Sequence, residues 1–282
     1  MKIGVSSYSF SKYIVENKCD YFKICDIAKE MGFDGIEFID LDNGRWGITT
    51  DPIACAKEVR EYCKKIGLDI IAYTVGANLV GECAEASVDK LLFDIEVARE
   101  LGAPLLRHDV CSKLPEGYTY RNAIDEMVPR IRRVTEAAKK YGIRTSTENH
   151  GHIFQAPERV EELIKAVDNE NYGWLCDMGN FLCVDCDPLN SVKIAAPYAF
   201  HVHAKDFLYK SKDGERPMGF FGTAGGNHLR GTAVGHGVVP VKECVDVLVA
   251  SGYDGYISLE FEGLEDAIFA ISAGLDFIKK CI

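Results

Sequence analysis

The sequence has little positive charge and no long apolar run, and each shortage excludes a class of protein. Its 282 residues contain 32 Lys and Arg against 43 Asp and Glu, which gives a formal net charge of -11. Because nucleic acids and anionic membranes attract clustered cations, this balance argues against both as partners. No apolar stretch approaches the ~20 residues that a membrane-spanning helix needs. We therefore predict a protein that binds neither nucleic acid nor membrane.

The chain also lacks the features of a secreted, disulfide-bonded protein. It has 11 cysteines, an odd number, and residues 1–5 carry no secretory signal. Several cysteines, such as Cys25 and Cys63, fall in helix patterns, where cysteine packs as a small hydrophobe. We predict reduced thiols and a cytoplasmic location. The spacing of Cys183 and Cys186 also occurs in zinc and redox sites, but a structural zinc site usually needs a second pair.

What the chain does contain is an eightfold alternation of short apolar runs and longer amphipathic segments. The predicted strands are 3–7, 35–38, 69–74, 105–108, 143–148, 173–177, 200–203 and 256–260. The predicted helices are 21–31, 52–66, 84–101, 120–141, 157–167, 188–196, 240–250 and 264–281. Several helices open near a proline and end before a glycine, which is the usual asymmetry of helix ends. Eight βα units predict an α/β fold, a (β/α)8 TIM barrel that forms one domain over residues 1–282.

Four chemically active side chains end separate predicted strands in the second half of the chain. They are Glu148, Asp177, His203 and Glu260. Each has an ordinary alternative role when taken alone, as a solvated carboxylate, a helix cap or a core histidine. Because the carboxyl ends of barrel strands meet at one face, we expect the four to converge. Three carboxylates and one imidazole suit one divalent metal ion, Mn²⁺ first, with Zn²⁺, Mg²⁺ and Co²⁺ as alternatives.

Further polar residues are predicted to lie at the same face. The residues assigned to substrate binding are Glu37, His108, His150, Asn180 and Lys205. Glu37 and His108 end predicted strands, and Lys205 offers a cation two residues past a predicted metal ligand. The alternative for each is a surface residue or a polar residue that supports a ligand.

One connection breaks the regular alternation. The 36 residues between His203 and Pro240 contain eight glycines and show no helical period. Long loops of this kind are uncommon and usually functional. We predict that residues 206–239 form a loop over the active site that acts as a lid. The alternative is a subunit contact in a homo-oligomer, and the sequence leaves the oligomeric state open.

The chain resembles the sugar phosphate isomerase/epimerase family with the xylose isomerase-like barrel, which includes tagatose epimerases, hydroxypyruvate isomerases and inosose dehydratases. The motifs that carry the resemblance are Glu148-Asn-His150, Cys176-Asp-Met-Gly-Asn180, His201-Val-His-Ala-Lys-Asp206 and Ile257-Ser-Leu-Glu260. The resemblance implies that the four strand-end residues bind the metal and that Glu148 and Glu260 also exchange protons with substrate. The chain departs from tagatose-type epimerases at Asn180, where they have histidine, and at Tyr209, where they have arginine.

The resemblance implies an isomerase or epimerase of a keto- or aldo-sugar, or of a related polyol ketone. Such an enzyme removes a proton next to a carbonyl and forms a metal-stabilised enediolate. Loss of a β-hydroxyl after the same first step gives a dehydratase of the inosose dehydratase type, and the sequence does not separate these outcomes. Two other hypotheses are a non-catalytic sugar-binding barrel and an apurinic endonuclease. The endonuclease would need more histidine ligands and a basic groove, against seven histidines and a net charge of -11 here.

Overall fold

The computed structural model describes the backbone of residues 1–282 and every side chain except that of Arg45. Its strands are β1 (Lys2–Ser6), β2 (Gly35–Ile39), β3 (Asp69–Val75), β4 (Leu105–His108), β5 (Arg144–Glu148), β6 (Tyr172–Asp177), β7 (Ala199–Ala204), β8 (Asp206–Lys210), β9 (Phe221–Gly222), β10 (His228–Thr232) and β11 (Tyr256–Leu259). Its α-helices are α1 (Ser11–Asn17), α2 (Tyr21–Met31), α3 (Pro52–Ile66), α4 (Ala84–Leu101), α5 (Tyr120–Lys139), α6 (Pro157–Val167), α7 (Pro188–Ala195), α8 (Val241–Ala250) and α9 (Ala267–Ile278).

Eight of the strands close into a barrel in the order β1-β11-β7-β6-β5-β4-β3-β2. Every ladder in the barrel is parallel, including the one that joins the first strand to the last, where Val5 pairs with Leu259. Helices follow the strands and pack against the outside of the barrel. The predicted (β/α)8 barrel is confirmed, and its strands all point their carboxyl ends to one face.

The helix ends follow local chemistry that is visible in the sequence. The Asp51 side chain accepts a hydrogen bond from the amide of Ala54 at the start of α3, and Pro52 occupies the first turn. The same helix ends at Gly67, whose φ of 67° is in the left-handed region that glycine adopts without strain. The predicted bounds of α3 therefore match the observed ones.

The region between residues 206 and 239 differs from the expected structureless loop. Strands β8, β10 and β9 form a small antiparallel sheet, in that order. The many glycines and the absence of a helical period concealed these short strands, whose partners lie as far apart in sequence as Asp206 and Thr232. Helix α1 was also not predicted. No helix in the described backbone has both the length and the apolar content to cross a bilayer.

Candidate metal centre

The four predicted ligand residues lie together at the carboxyl ends of the barrel strands. Glu148 and Asp177 end β5 and β6, His203 lies in β7, and Glu260 directly follows β11. One donor atom of each lies within 4.8 Å of the others, and all four residues are buried. The fold therefore brings these side chains to one centre; that they bind a metal stays a prediction.

The backbone around Asp177 directs one carboxylate oxygen into this centre. Its Oδ1 accepts hydrogen bonds from the amides of Gly179 at 2.8 Å and Asn180 at 3.0 Å. The Asn149 side chain accepts from the amide of Asp177 at 3.0 Å and donates to its carbonyl at 2.8 Å, which fixes the end of β6. Oδ2 is buried and has no hydrogen-bond partner among the described residues. Because an unpaired buried carboxylate oxygen is costly, this atom fits a cation ligand.

The ring of His203 also directs an atom without a hydrogen-bond partner toward this centre. Nε2 lies 2.8 Å from Glu37 Oε1, whereas Nδ1 is buried without a hydrogen-bond partner among the described residues. Nδ1 lies 3.9 Å from Glu148, 3.8 Å from Asp177 and 3.7 Å from Glu260. Burial opposes a charge on this ring, but the Glu37 and Glu260 carboxylates outweigh it and raise the pKa of His203 well above its ordinary value. A bound cation would take the place of the Nδ1 proton.

Each of the two glutamates at the centre pairs with a buried cation. Arg107 Nη2 lies 2.7 Å from Glu148 Oε2, and Lys205 Nζ lies 2.8 Å from Glu260 Oε2. Burial raises the pKa of Glu148 in spite of Arg107. Burial also opposes the charge of Glu260, but Lys205 and His203 outweigh it and hold the pKa of Glu260 well below its usual range.

Both cations are shared with a second carboxylate outside the four ligands. Arg107 Nη2 lies 2.8 Å from Asp109 Oδ1, and Lys205 Nζ lies 2.9 Å from Glu262 Oε2. Burial lowers the pKa of Lys205, yet the surrounding carboxylates raise it well above its ordinary value, so the ammonium stays charged. Neither Arg107 nor Asp109 was predicted from the sequence. The alternation of side chains along β4 could have indicated Arg107, because it places this arginine beside Glu148 at the end of β5.

Glu260 holds its place through contacts with the first turn after β1. The Ser9 hydroxyl donates to the carbonyl of Leu259 at 3.2 Å and accepts from the amide of Phe261 at 2.9 Å. The amide of Glu260 donates to Ala204 on β7 at 3.0 Å. These bonds turn the Glu260 side chain toward the centre, whereas Glu262, two residues later, extends to Lys205 with its side chain 43% exposed.

Three of the residues predicted to bind substrate lie beside the centre. The side-chain amide of Asn180 donates to Glu148 Oε1 at 2.8 Å, and Lys205 Nζ lies 3.8 Å from Asp177 Oδ2. His150 lies farther out, 3.1 Å from Asp109 with half of its side chain exposed, and this hydrogen bond raises the pKa of His150. Their contact with a substrate stays a prediction.

Two of the residues predicted to bind substrate do not reach the open side of the centre. Glu37 is fully buried beneath His203 and bonds to it. His108 is also fully buried, donates from Nδ1 to the carbonyl of Asp109 at 2.9 Å, and stacks on Tyr172 with ring centroids 6.1 Å apart. His108 is thus enclosed by protein, and its contact with a substrate stays a prediction. Successive side chains of a strand alternate, and Arg107 takes the inward position on β4. Burial lowers the pKa of His108 to about 4.

The small sheet of residues 206–239 begins one residue past Lys205 and is fastened at its root by Asp206. The Asp206 carboxylate accepts hydrogen bonds from four backbone amides, at distances of 2.8 to 3.0 Å. These amides belong to Phe207, Gly235, Gly237 and Val239. Both ends of the segment are therefore tied to one side chain.

The outer part of the same segment is fastened by Asp185. Its carboxylate accepts from Thr223 Oγ1 at 2.8 Å, from the amide of Gly225 at 2.5 Å and from Asn227 Nδ2 at 2.7 Å. Beneath these bonds, Cys183 packs with Phe207 and Leu229 in a small apolar cluster. Cys183 thus acts as a small hydrophobe here. The segment is an ordered structure joined to the loop after β6, and its role as a lid stays a prediction.

Comparison with known proteins places the chain among barrels of one type. A profile of the family described as xylose isomerase-like TIM barrel matches residues 25–281. The inosose dehydratase of Lactiplantibacillus plantarum is 30% identical over 141 residues, which cover 49% of this chain and 46% of that protein. The 3-dehydroshikimate dehydratase of Pseudomonas aeruginosa is 25% identical over 237 residues, 81% of this chain and 34% of that protein. The chain thus spans less than half the length of these two curated relatives.

Solved structures with the same fold include proteins of several activities. A zinc-bound structure of the IOLI protein superposes with a TM-score of 0.77 at 16% identity, covering 100% of this chain and 98% of that one. The probable 3-DHS dehydratase of Bacillus anthracis gives 0.76 at 21% identity, with 99% of both chains covered. An L-ribulose 3-epimerase gives 0.75 at 18% identity, covering 99% of this chain and 94% of that one. At these identities the likeness shows the fold alone.

Proposed function

Since the chain belongs to the xylose isomerase-like TIM barrel family, we propose that it is an enzyme that uses a divalent metal ion to remove a proton next to the carbonyl of a sugar or a related polyol ketone. One observation carries the proposal. Asp177 Oδ2 and His203 Nδ1 are both buried and unpartnered, and they face one centre together with Glu148 and Glu260. A merely structural cluster of this charge would have its buried polar atoms paired.

The donor set at this centre fits one divalent cation. Three carboxylates and one imidazole nitrogen are acceptable ligands for Mn²⁺, Zn²⁺, Mg²⁺ or Co²⁺. When bound, the cation supplies positive charge that stabilises negative charge developing on substrate oxygens. The IOLI structure holds a zinc atom, which supports testing Zn²⁺ beside Mn²⁺.

The chain's own residues divide the proton transfer between them. Glu260 is held ionised by Lys205 and is the group that takes the proton from carbon. Glu148, at the same centre, or Glu260 itself then returns the proton to a new carbon or to a new face. Arg107 and Asn180 each hold one oxygen of Glu148, which keeps its carboxyl in a single orientation. Pre-organised groups of this kind lower the barrier because they do not reorganise during the reaction.

Isomerisation or epimerisation is the first candidate outcome, because two glutamates at one centre are suited to remove a proton and return it elsewhere. Dehydration is the second candidate, and the similarity to two dehydratases favours it. In that case the proton taken from carbon goes to the departing β-hydroxyl, which leaves as water. Both outcomes begin with the same loss of a proton from carbon.

The test is a screen of keto-sugars, inososes and 3-keto-glycosides in D₂O with each of the four metal ions. Mass spectrometry and NMR then read deuterium at exchangeable C–H positions. A deuterated isomer or epimer supports the first candidate, and a product that has lost one water supports the second. Glu170, an exposed carboxylate that pairs with Lys139, provides the matched control variant Glu170→Gln. Metal binding without exchange or product on any of these ketones would contradict the proposed reaction.

A further inference from the structure

A second layer of buried polar residues lies beneath the metal centre, inside the barrel. Glu37 on β2 places Oε1 2.8 Å from His203 Nε2 and Oε2 2.7 Å from His201 Nε2. His201 Nε2 also lies 3.0 Å from Ser258 Oγ on β11. Glu37, His203 and Ser258 are 0% exposed and His201 is 2% exposed. The Glu37 carboxylate thus joins β2 to β7, and His201 extends the network to β11.

The chemistry of this contact determines which nitrogen of His203 carries a proton. An ionised carboxylate only accepts hydrogen bonds, so each imidazole nitrogen that faces Glu37 must be a donor. The proton of His203 is therefore fixed on Nε2. The lone pair of Nδ1 is left for the centre, where this atom has no other partner among the described residues.

We propose that Glu37 is a positioning residue that fixes the tautomer and the ring orientation of His203 for metal binding, and that it does not bind substrate. The proposal rests on the metal-dependent function proposed above. His201 in turn holds the second oxygen of Glu37, and Ser258 contacts His201. Carboxylates that orient a histidine ligand typically contribute ~10- to 100-fold to metal affinity.

Two other roles for Glu37 are weaker on the same observations. A substrate contact requires exposed surface, and Glu37 has none. A second cation among Glu37, His201 and His203 is the other role, since donor atoms of these residues lie within 4.8 Å of one another. Separations of 2.7 and 2.8 Å between oxygen and nitrogen are those of hydrogen bonds, which protons already fill.

The experiment measures metal binding to the metal-free protein by calorimetry, in the absence of any substrate. Glu37→Leu removes both acceptors and is expected to weaken Zn²⁺ binding ~10- to 100-fold. Glu37→Gln keeps the side-chain volume and one acceptor, so its loss should be smaller. Ser258→Ala, which removes only the outer contact of His201, and Glu170→Gln are controls expected to change affinity less than about 3-fold.

A second measurement reads the hydrogen bond itself. In the Zn²⁺-loaded wild-type protein, ¹⁵N-edited NMR should show a downfield, slowly exchanging Nε2 proton on His203, and it should disappear in Glu37→Leu. This signal does not depend on any variant folding well. Its absence in the wild-type protein would overturn the proposal.

Three further results would also overturn the proposal. The first is an unchanged metal affinity in Glu37→Leu. The second is two ions per chain in the wild type, with one of them lost in Glu37→Leu. The third is a raised KM in Glu37→Leu with a normal metal affinity. Because binding is measured without substrate, the proposal for Glu37 and the proposed reaction can fail separately. A weakened site in Glu37→Leu beside a wild type that acts on no ketone would leave only the proposed reaction wrong.

Discussion

The side-chain amide of Asn180 donates a hydrogen bond to Glu148 Oε1 at 2.8 Å, three residues past the point where Asp177 enters the same centre. Arg107 takes the other oxygen of Glu148 at 2.7 Å. Both oxygens of this carboxyl are therefore held by residues from neighbouring strands or their ends. Such a group acts from a fixed position, and substitutions of its partners should change its chemistry without unfolding the barrel.

The four strand-end residues are expected to bind one divalent cation. In a crystal grown with Mn²⁺, anomalous scattering should place a single ion roughly 2.0–2.4 Å from donor atoms of Glu148, Asp177, His203 and Glu260. The unpartnered atoms of Asp177 and His203 are the physical reason. Four side chains pointing apart in a metal-supplied crystal would refute the site.

Replacing either glutamate at the centre should abolish turnover and leave the fold intact. Loss of a general base typically lowers the rate by about 10²–10⁴. Circular dichroism of Glu148→Gln and Glu260→Gln should match the wild type, because both residues lie past the strand ends or at them rather than in the apolar core. Near-normal rates for both variants on the true substrate would rule out proton transfer by these residues.

Removing the charge of Lys205 should move the acidic limb of the pH profile to higher pH. Glu260 must be ionised to take a proton, and Lys205 holds its pKa well below the usual range. In Lys205→Met that pKa rises, so activity is lost at a higher pH as the solution is acidified. The measurement is kcat/KM of the metal-saturated enzyme against pH, with Lys205→Arg as the charge-preserving control. An unshifted limb in Lys205→Met would show that Glu260 is not the group that sets it.

Loosening the outer part of segment 206–239 should impair substrate handling and spare metal binding. Asp185→Ala removes three hydrogen bonds to Thr223, Gly225 and Asn227. None of the four metal-centre residues lies in the segment, so calorimetric metal affinity should stay within about 3-fold. Turnover and substrate affinity should fall together, as expected when a lid no longer excludes water.

Sedimentation of the same variant separates the lid from a subunit contact. Under the lid hypothesis, the sedimentation coefficient of Asp185→Ala equals that of the wild type. A changed assembly state with unaltered kinetics per site would instead identify the segment as an interface.

Neutralising Asp94 should stabilise the protein at alkaline pH. Burial raises the pKa of Asp94 to about 6, although Lys90 lies 2.8 Å away. Because the folded state holds its proton more tightly than the unfolded state, this carboxyl costs stability above pH ~6, and the cost disappears as the pH falls to ~4. Asp94→Asn should recover up to about 3 kcal/mol at pH ~8. The measurement is the free energy of unfolding in urea, for the variant and the wild type, across this pH range. A variant no more stable than the wild type at pH ~8 would contradict the prediction.

The local signals in the sequence were sufficient to predict the barrel. They were not sufficient to predict its shortest elements or the side chains that surround its centre. Helix α3 was predicted to the residue because Asp51, Pro52 and Gly67 each fix one of its ends. Helix α1 is only seven residues long, and the residue that ends it, Lys18, is in the left-handed conformation. No glycine marks this helix end in the sequence. Short elements depend on packing more than on their own sequence, and α1 was therefore missed.

The convergence of the four strand ends was predictable because a barrel fixes where its strands end. The partners of those residues were not, since they depend on which way each side chain points. His108 and Arg107 are adjacent, and only their alternation on β4 decides that the arginine meets Glu148. Glu37 lies in the middle of β2 rather than at its end, so its inward side chain lies under His203 and not at the open side of the centre.

Asp206 fastens the beginning and the end of segment 206–239 to a single carboxylate, through one amide beside it and three amides far along the chain. Residues between the two fastened ends can change in number and identity while the ends keep their positions. Lys205 directly precedes Asp206, so its position should not depend on such changes. Residues 211–227 are therefore the place to build a library that redirects substrate choice, because variation there leaves the reactive groups where they are.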